Sequence, residues 1–322
     1  MIKKLIDLVL NSPPVKKLVF FLENTKISKH KVSLMDVLNI FMSQFKKDDV
    51  QGKAQAMAFN FILAVFPGII FLFTLIPYIP IKDLDDQILV LLEHVMPEGI
   101  YKSAKETIED IVKKPRGGLL SLGFFMAMIA SMNGTLAMME AFNKCYKTVE
   151  KMNFFKLRLK ALGITFLLLL VLVTAIIILI VGEVILGFYF EYLDFLFGHF
   201  QFYFFLVLRY TIVILTFFTG LSTIYYLAPA VHNKFGFFSV GAITATALIV
   251  IISLVFSIYL NHFATFNKLY GSIGTLIALM LWYYLMCIAI LVGFEINASV
   301  EVAHAISERR KNESPKKNSF KN

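Results

Sequence analysis

Six long stretches of the chain lack charged side chains almost completely. A helix needs about 20 apolar residues to cross the roughly 30 Å hydrocarbon layer of a bilayer. If the third stretch is extended to take in Glu183 and the fourth to take in Arg209, the pattern predicts six transmembrane helices. Their approximate bounds are 54–81, 117–139, 161–186, 200–228, 235–261 and 269–294. An even number of spans places both termini on the same side of the membrane.

The segments outside these spans are amphipathic or basic. In region 1–53, Ser33 followed by Asp36 resembles a capping box, and an apolar helical face follows it, formed by Leu34, Val37, Leu38, Phe41 and Phe45. This pattern predicts a helix that lies along the membrane interface. Segment 82–116 carries two apolar stripes separated by Pro97 and predicts an external helical hairpin. The stripes are Leu84, Ile88, Leu91, Leu92 and Val95, then Tyr101, Ala104, Ile108 and Ile111. Region 299–322 predicts a basic tail that is disordered at its end.

Composition agrees with the span pattern. Of 322 residues, 58% are hydrophobic and only 16% are charged, and the mean hydropathy is +0.74. Average proteins carry about 25% charged residues, and a soluble domain cannot hide this much apolar surface. The sequence therefore predicts an all-α polytopic membrane protein with six spans.

The positions of the basic residues predict the orientation. The N-terminal 53 residues, the loop 140–160, the turn at Lys234 and the tail hold 23 of the 31 Lys and Arg residues. The opposite face holds 7, and Arg209 is the remaining one. Because cytoplasmic loops carry an excess of Lys and Arg, both termini are predicted to be cytoplasmic. The net charge of +9 is then explained by contact with anionic lipid headgroups, and no nucleic-acid partner is expected.

Several motifs resemble those of the YihY/BrkB family of bacterial inner-membrane proteins, once labelled ribonuclease BN-like. The resemblance covers about 54–298, and its most specific part is the last third of the chain. The residues that carry it are Gly241, Ala242, Tyr259, the LYGSIG segment at 269–274, Trp282 and the GFEINA segment at 293–298. The resemblance implies a multi-pass protein of the bacterial cytoplasmic membrane, and the family has no settled molecular activity.

Glu183 and Arg209 are the first candidate functional pair. Each lies 13 residues from position 196, the predicted centre of the turn between the third and fourth spans, so an antiparallel hairpin would place them at similar depth. Ionisable residues within a bilayer usually face the bundle interior or a wet cavity. Arg209 could serve gating or anion binding, or the two residues could form a static ion pair, or Arg209 could extend outward to the headgroups.

Glu295 and Asn297 are candidates at the cytoplasmic end of the sixth span. Gly293 permits close approach of another helix, and both polar residues could line an inner mouth. The alternative is that Glu295 lies among the headgroups and Asn297 hydrogen-bonds a neighbouring helix.

The start of the sixth span offers a candidate anion site. Tyr270, Gly271, Ser272 and Gly274 leave backbone amides uncovered at a helix N-terminus, next to Lys268. A lipid phosphate or small anion fits this chemistry, although small residues also simply permit helix packing.

Pro67 and Gly68 form a candidate break in the first span. Proline removes a backbone hydrogen bond, and broken helices often line transporter sites. An ordinary proline kink is the alternative.

The sequence lacks the motifs of nucleotide hydrolysis and of zinc hydrolases, and its six histidines are widely spaced. Its two cysteines, Cys145 and Cys287, do not form a redox or zinc motif. We therefore expect no enzyme activity, no cofactor and no metal site.

These observations favour a protein that moves, or helps to move, a lipid or a small amphipathic or anionic solute. The alternatives are a non-catalytic membrane scaffold and, as the old family label implies, an RNA-processing nuclease. Membrane lipids are the expected partners. The oligomeric state is left open, and a homo-oligomer is one option.

Overall fold

A computed structural model describes residues 26–27, 32–80, 83–95, 98–145, 152–197, 200–230, 236–262 and 272–318. Within these ranges, the backbone alone is described for residues 26–27, 94–95, 98–104, 179–197, 200–202, 205, 261–262, 272–273, 275 and 310–318.

The described residues form nine α-helices after a two-residue antiparallel ladder of β1 (Lys26–Ile27) and β2 (Val32–Ser33). The helices are α1 (Leu34–Lys47), α2 (Val50–Leu75), α3 (Leu84–Val95), α4 (Glu98–Lys113), α5 (Gly117–Asn143), α6 (Phe154–Phe197), α7 (Phe200–Leu227), α8 (Val240–His262) and α9 (Ser272–Asn318). A single 3₁₀ turn, Ile76–Tyr78, continues α2. The all-α prediction is confirmed.

Six described segments are long and apolar enough to cross a membrane, as the sequence predicted. They are Val50–Tyr78, Gly117–Asn143, Phe154–Ile178, Leu206–Leu227, Val240–Leu260 and Leu276–Arg309. Large apolar side chains such as Phe59, Phe166 and Leu254 are exposed on their outer faces. Such a surface is unfavourable in water but matches the hydrocarbon of a bilayer. The chain is therefore a multi-pass membrane protein.

Contacts between the ends of the spans show that the helices alternate in direction. Gln44 of α1 hydrogen-bonds Ser299 of α9 at 3.0 Å, and Asn143, the last residue of α5, accepts a hydrogen bond from the Ala230 amide after α7. The start of α6 reaches the same place, because Lys160 donates to the carbonyl of Pro229. We call this the α1 end of the bundle. The helix nearest the N-terminus and the C-terminal half of α9 share it.

An aromatic stack forms the centre of the core near the α1 end. The ring of Phe142 on α5 lies parallel to that of Phe294 on α9, with centroids 3.9 Å apart. Tyr225 of α7 meets both rings edge-on and donates its hydroxyl to the Ile290 carbonyl at 2.6 Å. Three spans are thereby fixed to one another beside Glu295.

Helix α1 begins as predicted but presents two different apolar sides. The Ser33 hydroxyl accepts a hydrogen bond from the Met35 amide, which confirms the N-cap. Val37 is buried against Ala303 of α9. Leu38 and Phe45, predicted to share its face, are exposed. The reason is that α9 covers only the side of α1 that includes Val37 and Gln44.

The predicted helical hairpin is formed by α3 and α4. Leu89, Ile108 and Val112 are buried together with Ile76 of the 3₁₀ turn. The predicted stripe on α3 is slightly rotated, because Leu91 is 60% exposed whereas Leu89 is buried. Contacts with α4 and Ile76 select the buried side, and sequence periodicity does not contain that information. The predicted stripe residues Tyr101 and Ala104 and the side chain of Val95 lie outside the described side chains.

In two places the described backbone is helical where the sequence suggested an interruption. The expected break at Pro67 does not occur, since α2 continues through it from Val50 to Leu75. Proline removes one hydrogen bond, and the neighbouring turns of a membrane helix can keep the helix intact without it. The backbone of the basic tail is helical as far as Asn318, where α9 ends, and residues 319–322 lie outside the described residues. Its Glu, Lys and Arg residues are good helix formers, and α9 extends beyond the apolar window into them.

Candidate functional site

A cluster of ionisable side chains is buried at the α1 end, around Glu295. Glu295 projects from α9 and is only 1% exposed. The Cys145 thiol, just after α5, donates a hydrogen bond to Glu295 Oε1, with Sγ 3.0 Å from that oxygen. Asp48, between α1 and α2, faces Glu295, with carboxylate oxygens of the two residues within 4.8 Å of each other. Lys53 of α2 pairs with Asp48, with Nζ 3.2 Å from Oδ2. Residues from three spans therefore meet at one charged point, which we call the Glu295 cluster.

Local sequence positions these side chains. Asp48 is the C-cap of α1, and Asp49 accepts a hydrogen bond from the Gly52 amide at 2.9 Å, which starts α2. The tight connection between these helices turns Asp48 inward, and Lys53 follows one turn later. Cys145 is placed by the end of α5 at Asn143. The cluster is thus built from helix ends and from one position in the middle of α9.

The electrostatics of the Glu295 cluster are unbalanced. Among the described side chains, two carboxyl groups face one ammonium group. The Lys53 side chain is 10% exposed and that of Asp48 is 30% exposed, so the pair is partly shielded from water. Burial raises the pKa of the Cys145 thiol, and the neighbouring Glu295 raises it further, so Cys145 is a neutral hydrogen-bond donor. Lys53 Nζ also lies 3.7 Å from Cys145 Sγ.

The cluster contains the donor types of a metal site. The ligand atoms of Asp48, Cys145 and Glu295 all lie within 4.8 Å of one another. Zinc accepts such a combination of carboxylate and thiolate ligands. However, the Lys53 ammonium already lies against Asp48 and Cys145, and it supplies the positive charge that a cation would bring. The arrangement fits a hydrogen-bonded ionic cluster better than a metal centre.

Asn297 completes the start of α8. Its Oδ1 accepts a hydrogen bond from the Gly241 amide at 2.7 Å, and its Nδ2 donates to Ser239 Oγ at 2.9 Å. Asn297 is buried, so these bonds satisfy groups that water does not reach. Of the two interpretations of Asn297, the structure places it in a contact with a neighbouring helix.

Two glycines allow α8 and α9 to touch at this level. A Cβ atom at Gly241 would overlap the Gly293 carbonyl oxygen, and one at Gly293 would lie 2.6 Å from the Gly241 oxygen. Close approach of the backbones brings Asn297 onto the end of α8. The prediction that Gly293 permits close helix approach is confirmed.

Glu183 and Arg209 are not brought into this cluster. Arg209 is exposed on α7, and Glu183 lies on α6 with its side chain outside the described part. Helix α6 runs to Phe197 and α7 begins at Phe200, so position 196, the predicted centre of the turn, lies within α6. Their pairing stays a prediction.

The candidate anion site is only partly described. Tyr270 and Gly271 lie outside the described residues, and Ser272 begins α9 with its side chain undescribed. Gly274 is half-buried in the first turn of α9. Gly68 belongs to the candidate break in the first span and not to the anion site. A Cβ at Gly68 would meet nothing within 4 Å, so that glycine is not required for packing. The anion site stays a prediction.

Sequence reasoning missed three of the four members of the Glu295 cluster. Asp48 and Lys53 resemble ordinary residues of a basic cytoplasmic segment, and Cys145 stands alone beside a basic loop. A weak signal was available, because Asp48 and Lys53 lie at one predicted span boundary and Cys145 and Glu295 lie at two others. These boundaries are on the same side of the membrane in a six-span topology.

The family model for virulence factor BrkB matches residues 41–319. The ribonuclease-like protein YfkH of Bacillus subtilis is 30% identical over 267 residues, which is 82% of this chain and 94% of that protein. A UPF0761 membrane protein of Idiomarina loihiensis is 32% identical over 88 residues, or 27% of this chain and 31% of the relative.

A second UPF0761 membrane protein, from Pseudoalteromonas translucida, is 31% identical over 81 residues, 25% of this chain and 27% of its own. No solved structure matches the chain. The matched region of the family model contains all six apolar helices and every member of the Glu295 cluster. The chain is a membrane protein that belongs to the BrkB family.

Proposed function

We propose that this protein transports, or helps to transport, a lipid or a small amphipathic or anionic solute. The observation that carries the proposal is the burial of Glu295 in a charged cluster between spans. Ionisable groups are costly inside a membrane protein, and in such proteins they often mark pathways for ions and solutes. Ionisable groups that meet at the junction of several membrane helices are therefore the candidate site for such a pathway.

We further propose that the protein lies in the bacterial cytoplasmic membrane with the α1 end in the cytoplasm. The excess of Lys and Arg at this end supports that orientation. The exposed aromatic and basic residues at the start of α6 support it as well, since Phe154 and Phe155 are exposed and Arg158 lies 4.4 Å from the Phe154 ring centre. Aromatic rings and cations of this kind suit the headgroup layer of anionic lipids.

A membrane scaffold is the second candidate. One observation favours it: the side of α1 that faces away from α9 exposes Leu38, Met42 and Phe45. Such a surface could hold a partner or the lipid interface. Deletion of residues 1–45 would then abolish the physiological function, whereas substitutions in the Glu295 cluster would leave it intact. A nuclease has no comparable observation in its favour, and the word ribonuclease comes from the name of YfkH.

The test of transport is a flux assay on purified protein in liposomes, with labelled phospholipids and small organic anions as separate cargoes. Glu295→Gln is expected to reduce flux of the true cargo at least tenfold while insertion is unchanged. Glu106→Gln, at an exposed position of α4, is the matched control and is expected to behave like wild type. Arg209→Ala tests whether the pathway also follows α7. Equal flux in wild type and Glu295→Gln would contradict the proposal.

A further inference from the structure

Among the side chains that the structure describes, the Glu295 cluster has one more carboxyl group than it has cations. Three titratable groups face Glu295: Asp48 and Lys53 from the corner of α1 and α2, and Cys145 from the end of α5. Helix α7 contributes Tyr225, whose hydroxyl bonds the Ile290 carbonyl, and α8 contributes Gly241 and Ser239, which bond Asn297. Within the described part of the chain, Lys53 is therefore the cation that faces the two carboxyl groups.

An ionised Glu295 would be poorly stabilised. Its nearest described donor is a thiol, which is a weak donor, and the Lys53 ammonium is paired with Asp48. A carboxylate that is 1% exposed needs strong donors or a paired charge to offset the loss of water. Two carboxylates whose oxygens lie within 4.8 Å of each other also repel each other unless one of them carries a proton.

We propose that Asp48 and Glu295 together bind one exchangeable proton. The proton lies between the two carboxyl groups, Lys53 balances the single remaining negative charge, and the Cys145 thiol donates to the free oxygen of Glu295. The cluster is then neutral as a whole, and each buried polar group has a partner. Two carboxyl groups that share a proton in this way are a known arrangement in proteins.

The proton site joins segments that are far apart in the chain. Asp48 belongs to the α1–α2 corner and Glu295 to α9, while Cys145 adds the end of α5. Release of the proton would leave two carboxylates facing each other at this junction and would weaken it. A link between proton release and cargo movement rests on the proposed function, but the presence of the proton does not.

Infrared spectroscopy of purified protein in lipid nanodiscs tests the proposal without a transport assay. Ordinary carboxyl groups have lost their protons by about pH 7, since their usual pKa values are about 4. We expect wild type to keep the absorption of one protonated carboxyl group at that pH and to lose it as the pH is raised. Protein made with ¹³C-labelled glutamate identifies the contribution of Glu295, because its band then shifts.

Each variant is expected to change the infrared band of the protonated carboxyl group in a defined way. Glu295→Gln and Asp48→Asn are each expected to remove the band. Both substitutions keep a neutral hydrogen-bonding group in place, and the test can be completed with whichever variant folds. Glu106→Gln is expected to retain it. Lys53→Met is expected to move the loss of the band to higher pH, because removal of a positive charge favours the protonated form.

Two results would overturn the proposal. One is the absence of a protonated carboxyl band in folded wild type at about pH 7, where the usual carboxyl groups are ionised. The other is a band that persists unchanged in both Glu295→Gln and Asp48→Asn. If the band is absent and added Na⁺ or Zn²⁺ raises the melting temperature of wild type but not of Glu295→Gln, the cluster binds a cation instead of a proton. If the infrared band behaves as expected but no flux is seen in liposomes, the proton site is supported and only the transport proposal is contradicted.

Discussion

The sulfur of Cys145 lies 3.0 Å from a carboxylate oxygen of Glu295, although 150 positions separate the two residues in the chain. This contact joins the end of α5 to α9 beside the stacked rings of Phe142 and Phe294. It places a thiol and a carboxyl group in a buried, water-poor setting. The ionisation of either group therefore affects the ionisation of the other.

Cys145 should react slowly with thiol reagents. Burial raises the pKa of its thiol, so the thiolate that reacts is scarce at neutral pH and becomes common only in strongly alkaline solution. In a Cys287→Ser background, we expect maleimide labelling of the native protein at about pH 7.5 to be at least about tenfold slower than labelling after denaturation. Equal rates in the two states would show that the thiol is accessible and ionises normally.

Gly241 and Gly293 should tolerate no side chain. Alanine at either position would push α8 and α9 apart, and overpacking of this kind typically costs about 1–3 kcal/mol. We expect a lower melting temperature for Gly241→Ala and for Gly293→Ala in detergent. Gly163→Ala on α6 is the control, because a Cβ there would meet nothing within 4 Å, and alanine favours a helix. An unchanged melting temperature for both test variants would contradict the close crossing.

Asn297→Ala should destabilise the start of α8. The substitution leaves the Gly241 amide and the Ser239 hydroxyl without their present partner, at a cost of about 1–3 kcal/mol. Thermal unfolding measures this cost. Asn60→Ala is the comparison, since the Asn60 amide bonds the Ala56 carbonyl of its own helix, and we expect a much smaller effect there. If both variants unfold alike, Asn297 does not cap α8.

The orientation of the bundle can be measured by labelling single cysteines in intact cells. Phe155 is 83% exposed near the α1 end. A cysteine introduced there by Phe155→Cys should be protected from a membrane-impermeant reagent, because the proposed orientation places it in the cytoplasm. Leu91→Cys, on the external hairpin, should be labelled. Both changes are made in a chain with Cys145→Ser and Cys287→Ser. The reverse pattern would place the α1 end outside the cytoplasm.

Much of the fold was predictable because its causes are local. A run of apolar residues long enough to cross a bilayer forms a helix wherever it occurs, since its backbone groups must bond within the segment. The six spans, the N-cap at Ser33 and the two helices of the hairpin follow from such patterns. The sequence and the structure differ at Leu91, at Pro67 and in the basic tail, and at these positions the surrounding structure selects among conformations that the local sequence permits.

The candidate site divides in the same way. The sequence by itself determined that Glu295 and Asn297 are polar groups at the end of a span beside a close-packing glycine. Only the tertiary structure decided that Asn297 holds the start of α8 and that Glu295 meets Asp48, Lys53 and Cys145. The physical reason is that hydrophobic periodicity records which residues leave water, whereas the partner of a buried charge depends on how helix ends from distant parts of the chain pack together.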